Sequence, residues 1–436
     1  MSDNYKSIDH IISCLSGYDP NSISVSEALN IIFELTEKYS KGVCSENVCL
    51  KDAPGRILYD DLISTIDVPA QDNAAMDGYA FSYASLNGND KTTQLRIRES
   101  ITAGELVTRE IQEGDCVRIM TGAKMPRECD TVIPQEFVSI VDGVACFNSD
   151  IVKQGDNRRK RGEDLRLGKS ALRRGRLISS SDVGLIASLG ISDIQVFKKL
   201  CVGYFSTGNE LRSPGQKLDE GCIYDSNSYT ISAMLERLPV NVLDFGIVED
   251  DPLLLEKLLK NAASKTDLIV TSGGVSVGES DYTKQVMKSI GNVEFWKIAM
   301  RPGRPMAVGT IEKSDSQDIG QAILFGLPGN PVAVMVTFFI FVLPAIQRMC
   351  GNITFSHNKI QLPLHTSVKK KKGRTEFRRG NLIRLNDEIY VEPQENQGSG
   401  ILRSMSEADC LIILEHDAEN YEAGENVDVL IFDGLH

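Results

Sequence analysis

Apolar and polar positions change rhythm several times along the chain. Between Ser24 and Tyr39, Ala28, Leu29, Ile32 and Leu35 recur at helical spacing, and Ser24 or Ser26 stands where a cap is needed, so an amphipathic helix is predicted. After Pro54-Gly55 the pattern turns β-like. Residues 69–163 hold short apolar runs separated by turns such as Gly88-Asn89-Asp90 and Asp142-Gly143, which predicts a small, mostly-β domain. Residues 164–198 continue as short elements punctuated by Gly168, Gly175, Gly184 and Gly190.

Leu200 to Ile346 reads differently. Strands over Leu200–Phe205, Val240–Val248 and Asp267–Thr271 alternate with helices over Ser228–Leu238, Asp251–Ala263 and Tyr282–Ile290. That alternation predicts a doubly wound parallel sheet, with ligands at the carboxyl ends of its strands. Pro331–Ile346 is almost wholly apolar but shorter than the roughly 20 residues that cross a bilayer. A helix buried on all sides is expected there, and no membrane span. Residues 355–436 return to short strands, such as Leu411–Leu414 and Val427–Ile431, and predict a small C-terminal β domain.

A chain of 436 residues exceeds one hydrophobic core, so several domains are expected. The net charge of −13 argues against nucleic acid as a partner. Two stretches run the other way. Ile151–Ser180 carries ten Lys/Arg against three Asp/Glu, and Lys369–Arg379 seven against one. Each is read as a solvated basic face or as a surface aimed at a polyanionic ligand. The ten cysteines form no CxxC pair, which suits reduced thiols and a cytoplasmic protein. The opening residues, MSDNYKSIDHII, lack the pattern of a signal peptide.

The candidate chemistry lies in the alternating region. After the buried run Leu268-Ile269-Val270 come Thr271-Ser272-Gly273-Gly274-Val275-Ser276. Paired glycines let the backbone turn sharply and approach a ligand. Their N–H groups and the hydroxyls of Ser272 and Ser276 make a phosphate cradle. Asp281 opens the next helix, either as a cap or as a ligand of Mg²⁺ beside a phosphate. Glu210 and Asp250, at the ends of the first two strands, face the same crevice and strengthen the cation reading. In Leu327-Pro328-Gly329-Asn330-Pro331, Asn330 is placed to cap the apolar helix, and the helix N-terminus can equally take an anion. Between these segments Lys297, Arg301 and Arg304 surround a Pro-Gly turn. Alone they would be a surface loop; between two anion-binding turns they are a candidate oxyanion clamp.

In order and spacing, DNAAMDGYA, RIMTGA, RGEDL, FSTGNEL, TSGGVSVGESDYTK, FWKIAMRPGRP and LPGNPV resemble the molybdopterin molybdenumtransferase family, which includes the bacterial MoeA proteins and gephyrin's E domain. The resemblance implies a multidomain α/β plus β chain. A three-layer αβα molybdopterin-binding domain at 200–350 would join an elongated mixed domain (1–68 with 164–199), an inserted β domain (69–163) and a β-barrel-like domain (351–436). It implies insertion of molybdate into adenylylated molybdopterin with Mg²⁺-assisted release of AMP. It also implies a homodimer with an inter-subunit cleft, contact with a molybdopterin adenylyltransferase and with recipient molybdoenzymes. The family's acids match at Asp77, Asp164, Glu210, Asp250 and Asp281, and its polar cleft residue at Thr121. Its basic residues match Lys297, Arg301 and Arg374, and its hydroxyl near the oxyanion Ser399. Many bacterial members have Lys where Arg301 and Arg304 stand, and smaller polar residues in place of Arg403. Other readings are a CinA-like nucleotide-processing enzyme, which lacks the MDGY and IMTG segments, a non-catalytic scaffold, and a tungstate-inserting homologue.

Overall fold

The protein is described by a computed structural model. The described residues are 23–42, 44–86, 91–275, 281–313 and 320–432, without the side chains of 38–42, 281 and 282. The predicted turn Gly88-Asn89-Asp90, Ser276 and the Asp281 side chain lie outside them. The chain divides into two compact units: residues 1–46, 55–59 and 195–436, and residues 47–54 with 60–194.

In the first unit, helix α1 (Val25–Gly42) starts where Ser24 and Glu27 cap each other. Its apolar face (Ala28, Ile31, Ile32, Leu35) is buried. The alternating region gives β1 (Leu200–Thr207), α2 (Ser226–Leu235), β2 (Val240–Val248), α3 (Pro252–Lys265), β3 (Leu268–Ser272) and α4 (Asp281–Ser289). It continues through β4 (Gly291–Lys297), β5 (Met300–Arg301), β6 (Pro305–Glu312) and β7 (Gln321–Leu327) into the apolar helix α5 (Pro331–Met349). The sheet has six strands in the order β2-β1-β3-β7-β6-β4.

The predicted parallel strands are present, and one strand among the six runs in the opposite sense. β2, β1, β3 and β7 are parallel, but β6 is antiparallel to both β7 and β4. A connection as short as residues 298–304 cannot carry a parallel crossover, so it joins antiparallel strands. The segment around Trp296, read from sequence as a candidate oxyanion clamp about a Pro-Gly turn, is largely sheet, with Trp296 opposite Met306.

Alternation along each strand feeds two cores. Leu268 and Val270 of β3 face one core with α1, α2 and α5, while Ile269 faces the other with α3 and α4. The result is the three-layer αβα arrangement. α5 is long and apolar enough to cross a membrane, yet 94% of it is buried, and Arg348 lies over the Phe33 ring of α1 at 4.5 Å. It is a core helix. Its middle turn, Phe338–Val342, is a π-helix.

The C-terminal strands β8 (Lys359–Pro363), β9 (Thr375–Leu385), β10 (Glu388–Pro393), β11 (Cys410–Leu414) and β12 (Asn426–Ile431) form a second sheet. Its order is β5-β9-β11-β12-β8, with β10 on β9. β5 thus leaves the cation segment to pair with the C-terminal sheet, Arg301 opposite Glu376.

His357, just before β8, packs edge-on against Phe355 at 5.3 Å, with Nε2 buried and unpartnered. Burial pulls its pKa down to about 4, with Lys359 acting in the same direction. The folded protein refuses a proton that the unfolded chain takes below about pH 6.5. The neutral ring's contribution is therefore complete above that pH and is lost as pH falls toward 4. Stability from urea unfolding is expected to drop by up to about 3 kcal/mol across that window through this residue, and His357→Phe to flatten that part of the profile.

The second unit holds a six-stranded sheet in the order 131–134, 78–81, 115–119, 92–101, 144–148, 139–141, antiparallel except where Thr92–Ile101 meets Asp115–Ile119. Part of its basic stretch is paired off: Arg158 with Asp72, Arg161 with Asp67, Arg174 with Asp60 and Arg176 with Asp182. The second basic stretch behaves alike, since Arg374 and Arg378 both hold Glu376. All nine described cysteines are free, and burial pushes the thiols of Cys116, Cys129, Cys350 and Cys410 up to about 12, which makes them inert.

Candidate active site

In the first unit, loops after β1, β2, β3 and β7 meet around a cavity of about 320 Å³. Gly273 (φ +93°) and Gly274 (φ +68°) are left-handed, and a Cβ on Gly273 would lie 2.7 Å from the Thr207 carbonyl oxygen. Only glycine fits this turn. Ser272, Gly273, Gly274, Glu210 and Asp250 all line the cavity. The Glu210 carboxylate folds over Gly208, whose own Cβ position lies 2.7 Å from Oε2. The Asp250 amide donates to Asn209 Oδ1 at 3.0 Å. Burial raises the Asp250 pKa; the Asn209 amide opposes this, and the negative charge of Glu210 adds to the rise.

Two exposed carboxylates that repel one another at the edge of a pocket favour a cation. Among the described residues no group of three or more His, Cys, Asp or Glu is poised to hold a metal. Two acids instead suit Mg²⁺, whose shell is completed by phosphate oxygens and water. Asp281 begins α4, directly after the cradle segment.

A second cavity, of about 300 Å³, is lined by Arg301, Gly303 and Arg304, by Pro328, Gly329 and Asn330, and by Gln397 and Ser399. Gly329 belongs to both cavities, and Ser399 and Gly400 border one each. Lys297, half-buried on β4, lines neither. Asn330 sits at the N-cap of α5 but its side chain makes no cap bond. Pro331 has no N–H, and the Val332 N–H donates to the Ser399 carbonyl at 3.1 Å. The helix start therefore has fewer free donors than its sequence promised, and the cations dominate this cavity.

Arg374 is held on Glu376 at 2.7 Å and lines neither cavity. A different arginine, which sequence reasoning passed over, stands behind the cavity wall. Arg379 is fully buried. It donates to Ser404 Oγ (3.1 Å) and to the carbonyls of Asn396 (2.9 Å) and Gly398 (3.1 Å), and its Nη1 has no partner. Burial, and then neighbouring Arg301, lowers its pKa to about 10. It remains a cation at neutral pH, with no counter-ion among the described residues. Thr207, Asp225 and Asn227, also missed, line the acid cavity, each with one buried unpartnered oxygen. A change from apolar run to polar residues at the strand end was the only signal for Thr207.

In the second unit, Asp77 Oδ1 accepts from the Thr121 amide (2.8 Å) and hydroxyl (2.6 Å), which hold its pKa below the usual carboxylate range. Asp164 lines a separate cavity with Asn73, Arg159 and Glu163.

Comparison with known proteins bears on this arrangement. Residues 23–190 match the MoeA N-terminal region (domain I and II), residues 203–348 a probable molybdopterin binding domain, and residues 361–432 the MoeA C-terminal region (domain IV). A molybdopterin molybdenumtransferase of Haemophilus influenzae is 38% identical over 400 residues, 90% of this chain and 95% of that protein. The chain belongs to the molybdopterin molybdenumtransferase (MoeA) family. A molybdopterin molybdenumtransferase from a Nostoc species is 32% identical over 99% of the chain and 98% of its own length. The crystal structure of a molybdopterin biosynthesis MoeA protein from Pyrococcus horikoshii, 26% identical, covers 94% of the chain and all of its own with a TM-score of 0.79. The match to the MoeA N-terminal region separates this chain from enzymes that share only the αβα domain. As in the rest of the MoeA family, the multidomain α/β plus β architecture serves molybdenum cofactor biosynthesis.

Proposed function

We propose that this protein inserts molybdate into adenylylated molybdopterin and releases AMP. The observation that carries the reading is the pair of adjoining cavities sharing Gly329, one bearing acids and a glycine turn, the other arginines. Oxyanions are drawn to the arginine side and repelled by the acids, so molybdate and a metal-bound phosphate sort themselves without competition. The Ser272-Gly273-Gly274 turn, with Ser276, holds the phosphate. Arg301 and Arg304 hold molybdate at the mouth, aided by Lys297 and Ser399, and Arg379 supplies positive charge from behind. Glu210 and Asp250, with Asp281, would hold Mg²⁺, which when bound neutralises charge on the phosphoanhydride. The dithiolene belongs to the substrate, so no protein thiol is required.

The active form is proposed to be a homodimer in which Asp77 and Thr121 of a second chain complete the cleft, with Asp164 supporting that region. Contact with the molybdopterin adenylyltransferase and with recipient molybdoenzymes, and a cytoplasmic setting, belong to the same reading. The test is reconstitution of a molybdenum-free apoenzyme with this protein, adenylylated molybdopterin, micromolar molybdate and Mg²⁺, with AMP followed by chromatography. Absence of both AMP release and activation overturns the proposal. Light scattering should give about twice 48.0 kDa.

Asp250→Asn removes one of two facing carboxylates. It is expected to raise the Mg²⁺ concentration for half-maximal AMP release at least roughly tenfold. In the wild type that requirement should rise as pH falls through the elevated Asp250 pKa, and the variant should lose this dependence. A Mg²⁺ titration at two pH values decides the matter.

A further inference from the structure

The two cavities are joined by one side chain. Asn227 sits near the start of α2, its backbone fixed by Asp225, whose Oδ1 accepts from the amides of Asn227 (3.0 Å) and Ser228 (3.1 Å). Its side-chain nitrogen donates to Ser272 Oγ at 2.7 Å and to the Gly329 carbonyl at 2.8 Å. A carbonyl only accepts, so the amide nitrogen must face Gly329 and the orientation of the group is fixed. Its Oδ1 is then left buried and unpartnered.

Ser272 directly precedes the glycine turn of the acid cavity, and Gly329 is the residue that both cavities share. A parallel backbone link runs beside this one, from the Gly273 amide to the Leu327 carbonyl at 3.1 Å. We infer that Asn227 is a positioning residue that makes the adenylate-side and molybdate-side cavities bind their ligands as a coupled pair. The inference rests on the function proposed above. A phosphate that orders the Gly273-Gly274 turn fixes Ser272. Through the two amide hydrogens this fixes Gly329, and with it the wall against which Arg301 and Arg304 hold an oxyanion. Coupling of this kind is reciprocal: each ligand changes the affinity of the other by one and the same factor.

The test is calorimetric titration of the full-length protein with molybdate, with and without saturating AMP and Mg²⁺, and the converse titration with AMP. Wild type is compared with Asn227→Ala and Asn227→Asp. The aspartate keeps the size and accepts from the Ser272 hydroxyl, but cannot donate to Gly329. Repulsion between the two anions is common to all three proteins. The ratio of molybdate affinity with AMP to that without it should therefore be roughly fivefold or more larger in wild type than in either variant. Equal ratios across the three proteins, with both anions bound, overturn the inference alone. Failure of wild type to bind either anion overturns the functional reading and this inference together. Thermal melting identifies a variant that does not fold, and the other variant then carries the comparison.

Discussion

Gly273→Ala is expected to release AMP at less than about 1% of the wild-type rate and to melt several degrees lower. Gly273 has φ of +93°, where a side chain costs of order 1–3 kcal/mol by itself. The new Cβ would also stand 2.7 Å from the Thr207 carbonyl oxygen. That oxygen belongs to the last residue of β1, whose backbone is held in register with Val248 of β2, so it yields little. The turn must move instead, and both the phosphate cradle and the Ser272 link to Asn227 move with it. A loss of a few kcal/mol in transition-state positioning corresponds to a hundredfold or more in rate. Gly329→Ala is the contrast. No atom lies within 4 Å of its Cβ position, and its φ is not in the left-handed region, so a structural effect should be small there. Differential scanning fluorimetry and an AMP-release assay on both variants check the pair. A Gly273→Ala protein with near-normal turnover would remove the turn from the site.

Arg379→Met is expected to separate stability from function. Burying a cation without a counter-ion costs several kcal/mol, and replacement by an apolar side chain of similar length relieves that cost. Against this, Ser404 and the carbonyls of Asn396 and Gly398 lose a donor, at about 1 kcal/mol each. The two effects offset one another, so the melting temperature should change little. Molybdate affinity should fall by roughly tenfold or more, because a charge in a low-dielectric wall acts strongly on an anion near it. Arg374→Met, on a residue already neutralised by Glu376, should weaken molybdate binding less. Isothermal titration with molybdate ranks the two arginines. Equal losses would return Arg374 to the site that the sequence suggested for it.

That comparison shows what the sequence could and could not reveal. The helix at Ser24, the strands ending at Thr207, Val248 and Ser272, and the buried helix after Pro331 follow from local periodicity and capping, and they were legible. The pairing of Glu210 with Asp250 was legible as well, because parallel strands place their ends at one edge. The antiparallel run of β4 and β6 was not, since Lys297, Arg301 and Arg304 drew attention away from Val293, Trp296 and Met306, which are buried on two different faces of the sheet. Arg379 and Asn227 were hidden for a different reason. Their partners lie 17 to 102 residues away, and spacing along the chain carries no information about contacts of that kind.

The pairing of Met300-Arg301 with Thr375-Glu376 has a consequence for how a newly made chain matures. The acid cavity draws almost entirely on residues up to Pro331, so it can form while the C-terminal segment is still being synthesised. The arginine cavity cannot. Arg301 gains its partner strand only when β9 has emerged, and the wall at Gln397 and Ser399, with Ser404 beneath Arg379, comes later still. At roughly 5–20 residues per second, several seconds separate the two events. On the proposed function, a nascent or truncated chain would thus gain its adenylate side before it has anywhere to put molybdate, and metal loading would be confined to molecules whose synthesis has run nearly to the end.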